Sequence, residues 1–93
     1  MKLDFNFDLQ LLNGEFAKDE LGVNVNVAKM IANTLVNQSK GDVLKFWDWA
    51  QTLYKCEILD LDSSDQETFK TFIKEGGLPI YAKAQVLHVL KKD

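Results

Sequence analysis

Residues 3 to 11 alternate without a break: Leu3, Phe5, Phe7, Leu9 and Leu11 are apolar, and Asp4, Asn6, Asp8 and Gln10 between them are polar. A period of two puts all the apolar side chains on one face of an extended chain, so this segment predicts a half-buried strand. Asn13-Gly14 comes next. That dipeptide suits a type I′ turn, and a two-residue loop there would set Leu12 opposite Glu15 and Leu11 opposite Phe16. Past Ala17 the alternation stops at Lys18-Asp19-Glu20, which predicts a loop through Gly22, with Asn24 or Asn26 as the cap of the next element.

From Val27 the period becomes helical. Val27, Ala28, Ile31, Ala32 and Leu35 share one side of a helical wheel, giving a first helix of about three turns. Ser39-Lys40-Gly41-Asp42 provides a stop and a new N-cap. A second helix is expected from Val43 to about Cys56, with apolar residues spread so widely that one neighbour cannot cover it. Glu57 to Leu61 predicts a short third strand able to join the first in a small antiparallel sheet. Asp62 to Glu67 holds helix-start signals, among them the Ser64/Glu67 capping-box spacing, and the third helix presents Phe69, Phe72 and Ile73. After Gly76-Gly77, Pro79 opens a fourth helix with Ile80, Ala84, Leu87 and Leu90 as its inward stripe and Lys91 and Lys92 in its last turn. The expectation is one α+β domain over residues 1–93: a strand or hairpin and a short third strand packed against four helices.

Composition narrows the function classes. The 93 residues are 46% hydrophobic and 27% charged, the balance of a soluble globular chain with room for one core. All eleven basic residues are lysines, against fourteen acids, for a net charge of −3. Without arginine there is no bidentate fork for phosphate or guanine, which disfavours a dedicated nucleic-acid binder. A single cysteine, no leader pattern and no apolar run of membrane-spanning length fit a cytoplasmic protein with no membrane association.

Several constellations could carry chemistry. Cys56 and His88 could pair as nucleophile and base with Asp60 orienting the ring, but no oxyanion site accompanies them, and an enzyme is not expected. Asp60, Asp62, Ser64 and Asp65 resemble the start of a calcium loop, yet Asp65 stands where the loop needs glycine and Thr71 where it needs a bidentate glutamate. One Cys and one His cannot make a four-ligand zinc site in a monomer. No cofactor or metal is therefore expected. Lys29, Lys40 and Lys45 on the first helix pair offer the alternative function, a small DNA-associated regulator.

Phe46-Trp47-Asp48-Trp49 is the most informative run. Its two tryptophans project about 160° apart on a helix, so both can be buried only if the helix is flanked on two sides. Aromatic residues favour protein contacts, and Trp49, at the edge of the apolar arc, is the expected anchor, with Phe46 and Tyr54 beside it and Phe5 and Phe7 as core-side support. The N-terminal strand offers a second route, an open edge that could take another chain's strand unless Lys2, Asp4 and Asp8 guard it.

The order Phe5-Asn6-Phe7-Asp8-Leu9, Asn13-Gly14, Ala28-Lys29-Met30-Ile31-Ala32-Asn33-Thr34-Leu35, Lys40-Gly41-Asp42 with Lys45-Phe46-Trp47-Asp48-Trp49-Ala50, Leu59-Asp60-Leu61-Asp62 and Ala82-Lys83-Ala84-Gln85-Val86-Leu87 resembles small proteins encoded in phages and prophages. The similarity spans nearly the whole chain. It implies a compact accessory protein that binds another protein during replication control or particle assembly, and it carries over no catalytic or ligand residue. The resulting expectation is a non-enzymatic interaction module and a homo-oligomer.

Overall fold

The computed structural model describes residues 1–91; Lys92, expected in the last helical turn, lies outside them. The architecture is α+β: β1 (Lys2–Leu3), α1 (Val27–Val36), α2 (Val43–Tyr54), β2 (Leu59–Asp60), α3 (Ser63–Glu75) and α4 (Ile80–Lys91). β1 and β2 form a two-stranded antiparallel sheet in which Lys2 faces Asp60 and Leu3 faces Leu59. The ladder extends one step further through Met1 and Leu61, whose backbones exchange both hydrogen bonds.

The alternating N-terminal segment is not one strand. The Asp4 carboxylate accepts the Asn6 N–H at 2.9 Å and the Phe5 carbonyl accepts the Phe7 N–H at 2.8 Å, so a short polar side chain bends the backbone off the ladder. The alternation survives the bend in part: Leu3, Phe5 and Leu9 point into the core, whereas Phe7 is half-buried and Leu11 is exposed.

Beyond the bend, residues 7–11, 15–19 and 23–27 are three short extended segments that pair in a closed cycle. The N–H of Leu9 donates to Val25, that of Val25 to Ala17 and that of Ala17 to Leu9, at 2.8, 2.9 and 2.8 Å. Bridges Gln10 to Phe16, Lys18 to Asn24 and Asp8 to Asn26 flank these bonds. The first hairpin differs from expectation by one residue. Leu11 rather than Leu12 pairs with Glu15, and the loop is Leu12-Asn13-Gly14. Asn13 keeps a negative φ, which a type I′ turn does not allow, while Gly14 takes φ +89, so the glycine supplies the left-handed bulge that completes an ordinary turn. The expected loop through Gly22 is a second hairpin of the same build. Asp19 bonds to Val23, Gly22 at φ +80 returns an N–H to Asp19, and the Asp19 carboxylate accepts from Leu21 and Val23.

The helices begin on side-chain caps: Asn26, Asp42 and Asp62 accept from the third residue inside α1, α2 and α3. Asp62 thus replaces the expected Ser64 capping box, and α3 starts at Ser63. α2 ends two residues earlier than expected. Cys56 adopts φ +59, its N–H donates to Leu53 and the Glu57 N–H donates to Thr52, a Schellman arrangement with cysteine in the place usually held by glycine. On α4 the inward stripe is Ala82, Val86 and Leu90; Ile80 and Ala84, expected inside, face solvent.

One cluster of buried side chains joins these parts. Its centre is aromatic: Phe5 meets Phe69 at 5.7 Å between centroids, Trp49 lies edge-on to Phe69 at 5.7 Å, and Phe46 stacks on Trp49 at 5.6 Å and meets Phe72 at 5.5 Å. Gly41, at φ +111, lets the Phe46 ring lie against the backbone before α2; a Cβ there would fall 2.7 Å from the ring. A paired amide ties α4 to the hairpins, since Gln85 both accepts from and donates to the backbone of Gln10.

Candidate interaction surface

The two tryptophans part ways. Trp49 is 5% exposed and lies between Phe46 and Phe69, which corrects its expected role as a surface anchor: it is core. Trp47 is 55% exposed. Phe46 is half-buried and bridges core and surface, and Tyr54 is 59% exposed. α2 presents two stripes at helical spacing. Phe46, Trp49, Ala50 and Leu53 form one, directed at α3 and the core; Leu44, Trp47, Gln51 and Tyr54 form the other, directed outward. The signal that separates them is Gln51, the one polar residue among the eight. Phe5 is fully buried, as core-side support should be, whereas Phe7 is half-buried and lines a surface depression with Phe16 and His88.

α1 packs closely along α2, and the outward stripe borders the cleft between them. Two adjoining depressions of about 370 and 360 Å³ share Val36 and Trp47; Tyr54 closes one and Val43 with Leu44 the other. Val36, Val43, Leu44, Trp47 and Tyr54 are all exposed, so this is a contiguous apolar face and not a scatter of single residues. Its charged lining residues are Lys55 at one end and Lys40 at the other. Lys29 adds a third cation, its ammonium 5.5 Å above the Tyr54 ring.

The other side of α2 carries the opposite charge. Asp42, Asp48, Asp60 and Asp65 gather there around Lys45. Lys45 Nζ donates to Asp65 at 2.6 Å. That hydrogen bond raises the lysine above its ordinary 10.5; burial opposes it, and the charges of Asp65, Asp42 and Asp62 add to the rise. Because the folded value lies above the unfolded one, the stability the pair contributes is complete below the unfolded value and is lost as pH rises through the folded one. The stability difference between wild type and Asp65→Asn should therefore stay level from neutral pH into the mildly alkaline range and shrink only beyond 10.5, which urea titrations at stepped pH would show.

The remaining candidates are dispersed. The Cys56 thiol sits 3.7 Å from the Asn26 side chain at the end of α2, and His88 lies on α4 beside the hairpins; no hydrogen bond joins them among the described residues. Asp62 caps α3, Asp65 holds Lys45 and Asp60 lies 3.6 Å from the N-terminal ammonium, so each carboxylate of the calcium-like run has a structural partner. Among the described residues no three His, Cys, Asp or Glu side chains are grouped to hold a metal ion. Of the lysines considered for DNA, Lys45 is engaged by Asp65 and Lys29 covers Tyr54. Phe7, Leu9 and Leu11 direct their backbone groups to the other two segments of the cycle, so that part of the N-terminal segment considered for strand addition is paired within the chain, and β1 is paired with β2 along one edge. Among the described residues no helix is long and apolar enough to cross a membrane.

No family model, curated protein or solved structure matches the chain.

Proposed function

We propose that the protein is a non-enzymatic interaction module that associates with itself through the α1–α2 face, with Trp47 in the role first expected of Trp49 and with Tyr54 and the half-buried Phe46 in support. The observation that carries this reading is the exposure of Trp47 beside Val36, Val43, Leu44 and Tyr54 along one cleft. A large aromatic side chain left in water is costly in a domain this small, and covering it in an assembly recovers burial that the fold alone does not provide. The resemblance to small phage and prophage proteins supports an accessory role, exercised by contact in the cytoplasm of a host cell and not by turnover of a substrate.

Native mass by light scattering across a micromolar concentration series tests the reading. Wild type should give masses above the monomer that fall on dilution. Trp47→Ala should remain monomeric at the same concentrations with unchanged circular dichroism. Wild type that stays monomeric at its highest workable concentration would refute self-association.

A further inference from the structure

The cleft does not match itself. Two copies joined by like faces would bring Lys29, Lys40 and Lys55 of each toward those of the other, with no carboxylate among the cleft's described lining residues to offset them. The charge is segregated along the chain. Residues 27–55 hold four lysines against two aspartates, both on the reverse of α2, whereas residues 1–26 hold two lysines against five carboxylates.

The acidic, apolar counterpart is the second hairpin. Its loop reads Asp19-Glu20-Leu21-Gly22-Val23, with Leu21 88% exposed and Val23 also in solvent. The loop is held in advance: Asp19 bonds to Val23 through the backbone, and its carboxylate fixes the N–H groups of Leu21 and Val23 at 2.9 and 3.0 Å. The lysine next to it in the chain, Lys18, donates to Asn24 at 2.7 Å. An ordered loop that presents a leucine preceded by two acidic residues loses little freedom on entering a cleft, and it has the negative charge that a lysine-rimmed apolar cleft lacks.

We infer that the occupant of the α1–α2 cleft is the Asp19–Val23 hairpin of a second copy, in a head-to-tail contact with Leu21 against Trp47 and with Asp19 and Glu20 among the lysines. This rests on the self-association proposed above and specifies its geometry. A head-to-tail contact uses two different surfaces of each copy, so unless two copies exchange hairpins reciprocally and close at two, wild type grows past the dimer into a ring or an open series.

Two variants, each spoiling one surface, test this. Trp47→Glu damages the cleft and leaves the hairpin; Leu21→Lys damages the hairpin and leaves the cleft. Both residues are exposed, and circular dichroism establishes that each variant is folded; Trp47→Ala and Leu21→Ala replace them if a charge disturbs the fold. Each variant alone should be monomeric, with association weakened on the order of tenfold or more. Mixed in equal amounts, they should give a heterodimer and nothing larger, because one intact cleft and one intact hairpin remain. If Leu21→Lys associates as wild type does, or if the mixture stays monomeric while wild type assembles, the head-to-tail contact is wrong and self-association by another geometry stands. If wild type is itself monomeric, both proposals fall.

Discussion

Trp49→Ala should lose about 3–5 kcal/mol of folding stability, the range for emptying a large aromatic from a packed core. The ring is the hinge of the aromatic cluster, stacked on Phe46 and edge-on to Phe69, and its removal separates α2 from α3. A domain of this size has a total stability of about 5–15 kcal/mol, so the variant should be partly unfolded at moderate temperature. Trp47→Ala, two positions away, removes a side chain that is more than half in water and should stay within about 1 kcal/mol of wild type. Urea denaturation followed by circular dichroism compares the two without relying on the fluorescence of the residues removed. Near-equal losses would mean that the two rings do not divide between core and surface. The same pair fixes how association data are read: a Trp49 variant that fails to assemble reports on folding, and only a Trp47 variant reports on the contact.

Legibility in the sequence tracked how local the deciding interaction was. The start and the buried stripe of α1 were readable, because Val27, Ala28, Ile31, Ala32 and Leu35 and a capping asparagine are local patterns; the choice of Asn26 over Asn24 and the end at Val36, ahead of the Ser39-Lys40-Gly41 stop, were not. The start of α2 at Asp42 and the buried residues of α3 were legible for the same reason. The short strand at Leu59 was visible as an apolar run, but its partner was not: the bend at Phe5 hands only the first residues of the chain to β2 and the remainder to the hairpins. The second hairpin was hidden because Lys18-Asp19-Glu20 breaks the alternation. Its fold comes from Asp19, Gly22 and pairing with residues 7–11, not from hydrophobic period. The first hairpin slipped by one residue because Asn-Gly serves both a type I′ turn and a turn completed by a glycine bulge, and the choice is made by the third segment closing the cycle. On α2, the breadth of the apolar arc announced that two sides were special, and the single polar residue Gln51 was the one local mark of which was wet. α3, distant in sequence, covers Trp49 and leaves Trp47. On α4, the stripe through Ile80 and Ala84 and the one through Ala82 and Val86 are equally apolar, and only the packing partner distinguishes them.

Ala17→Pro should destabilise the fold by about 3 kcal/mol, because it deletes one of three bonds that depend on one another and leaves the Leu9 carbonyl without its donor. In an open hairpin such a loss frays one end. Here each segment bonds to the other two: Ala17 is both the donor to Leu9 and the acceptor from Val25, so displacing it weakens the cycle at two of its three sides. The hairpins also fix the entry to α1, since Val27 and Ala28 donate back to Phe7 and Phe5. The damage should therefore spread into the first helix, and the amides of Leu9, Ala17 and Val25 should exchange with solvent together in wild type, as one cooperative unit. Glu20→Pro is the control. It lies in the same hairpin at the second position of the turn, where proline's fixed φ is favoured, and the extended Asp19 before it tolerates a proline at the next position. That variant should be neutral or more stable by about 0.4–1 kcal/mol. If both proline variants cost the same, the loss comes from proline in a loop and not from the cycle; if Ala17→Pro alone unfolds the chain, the closed pairing of three short segments holds the N-terminal third of the protein together.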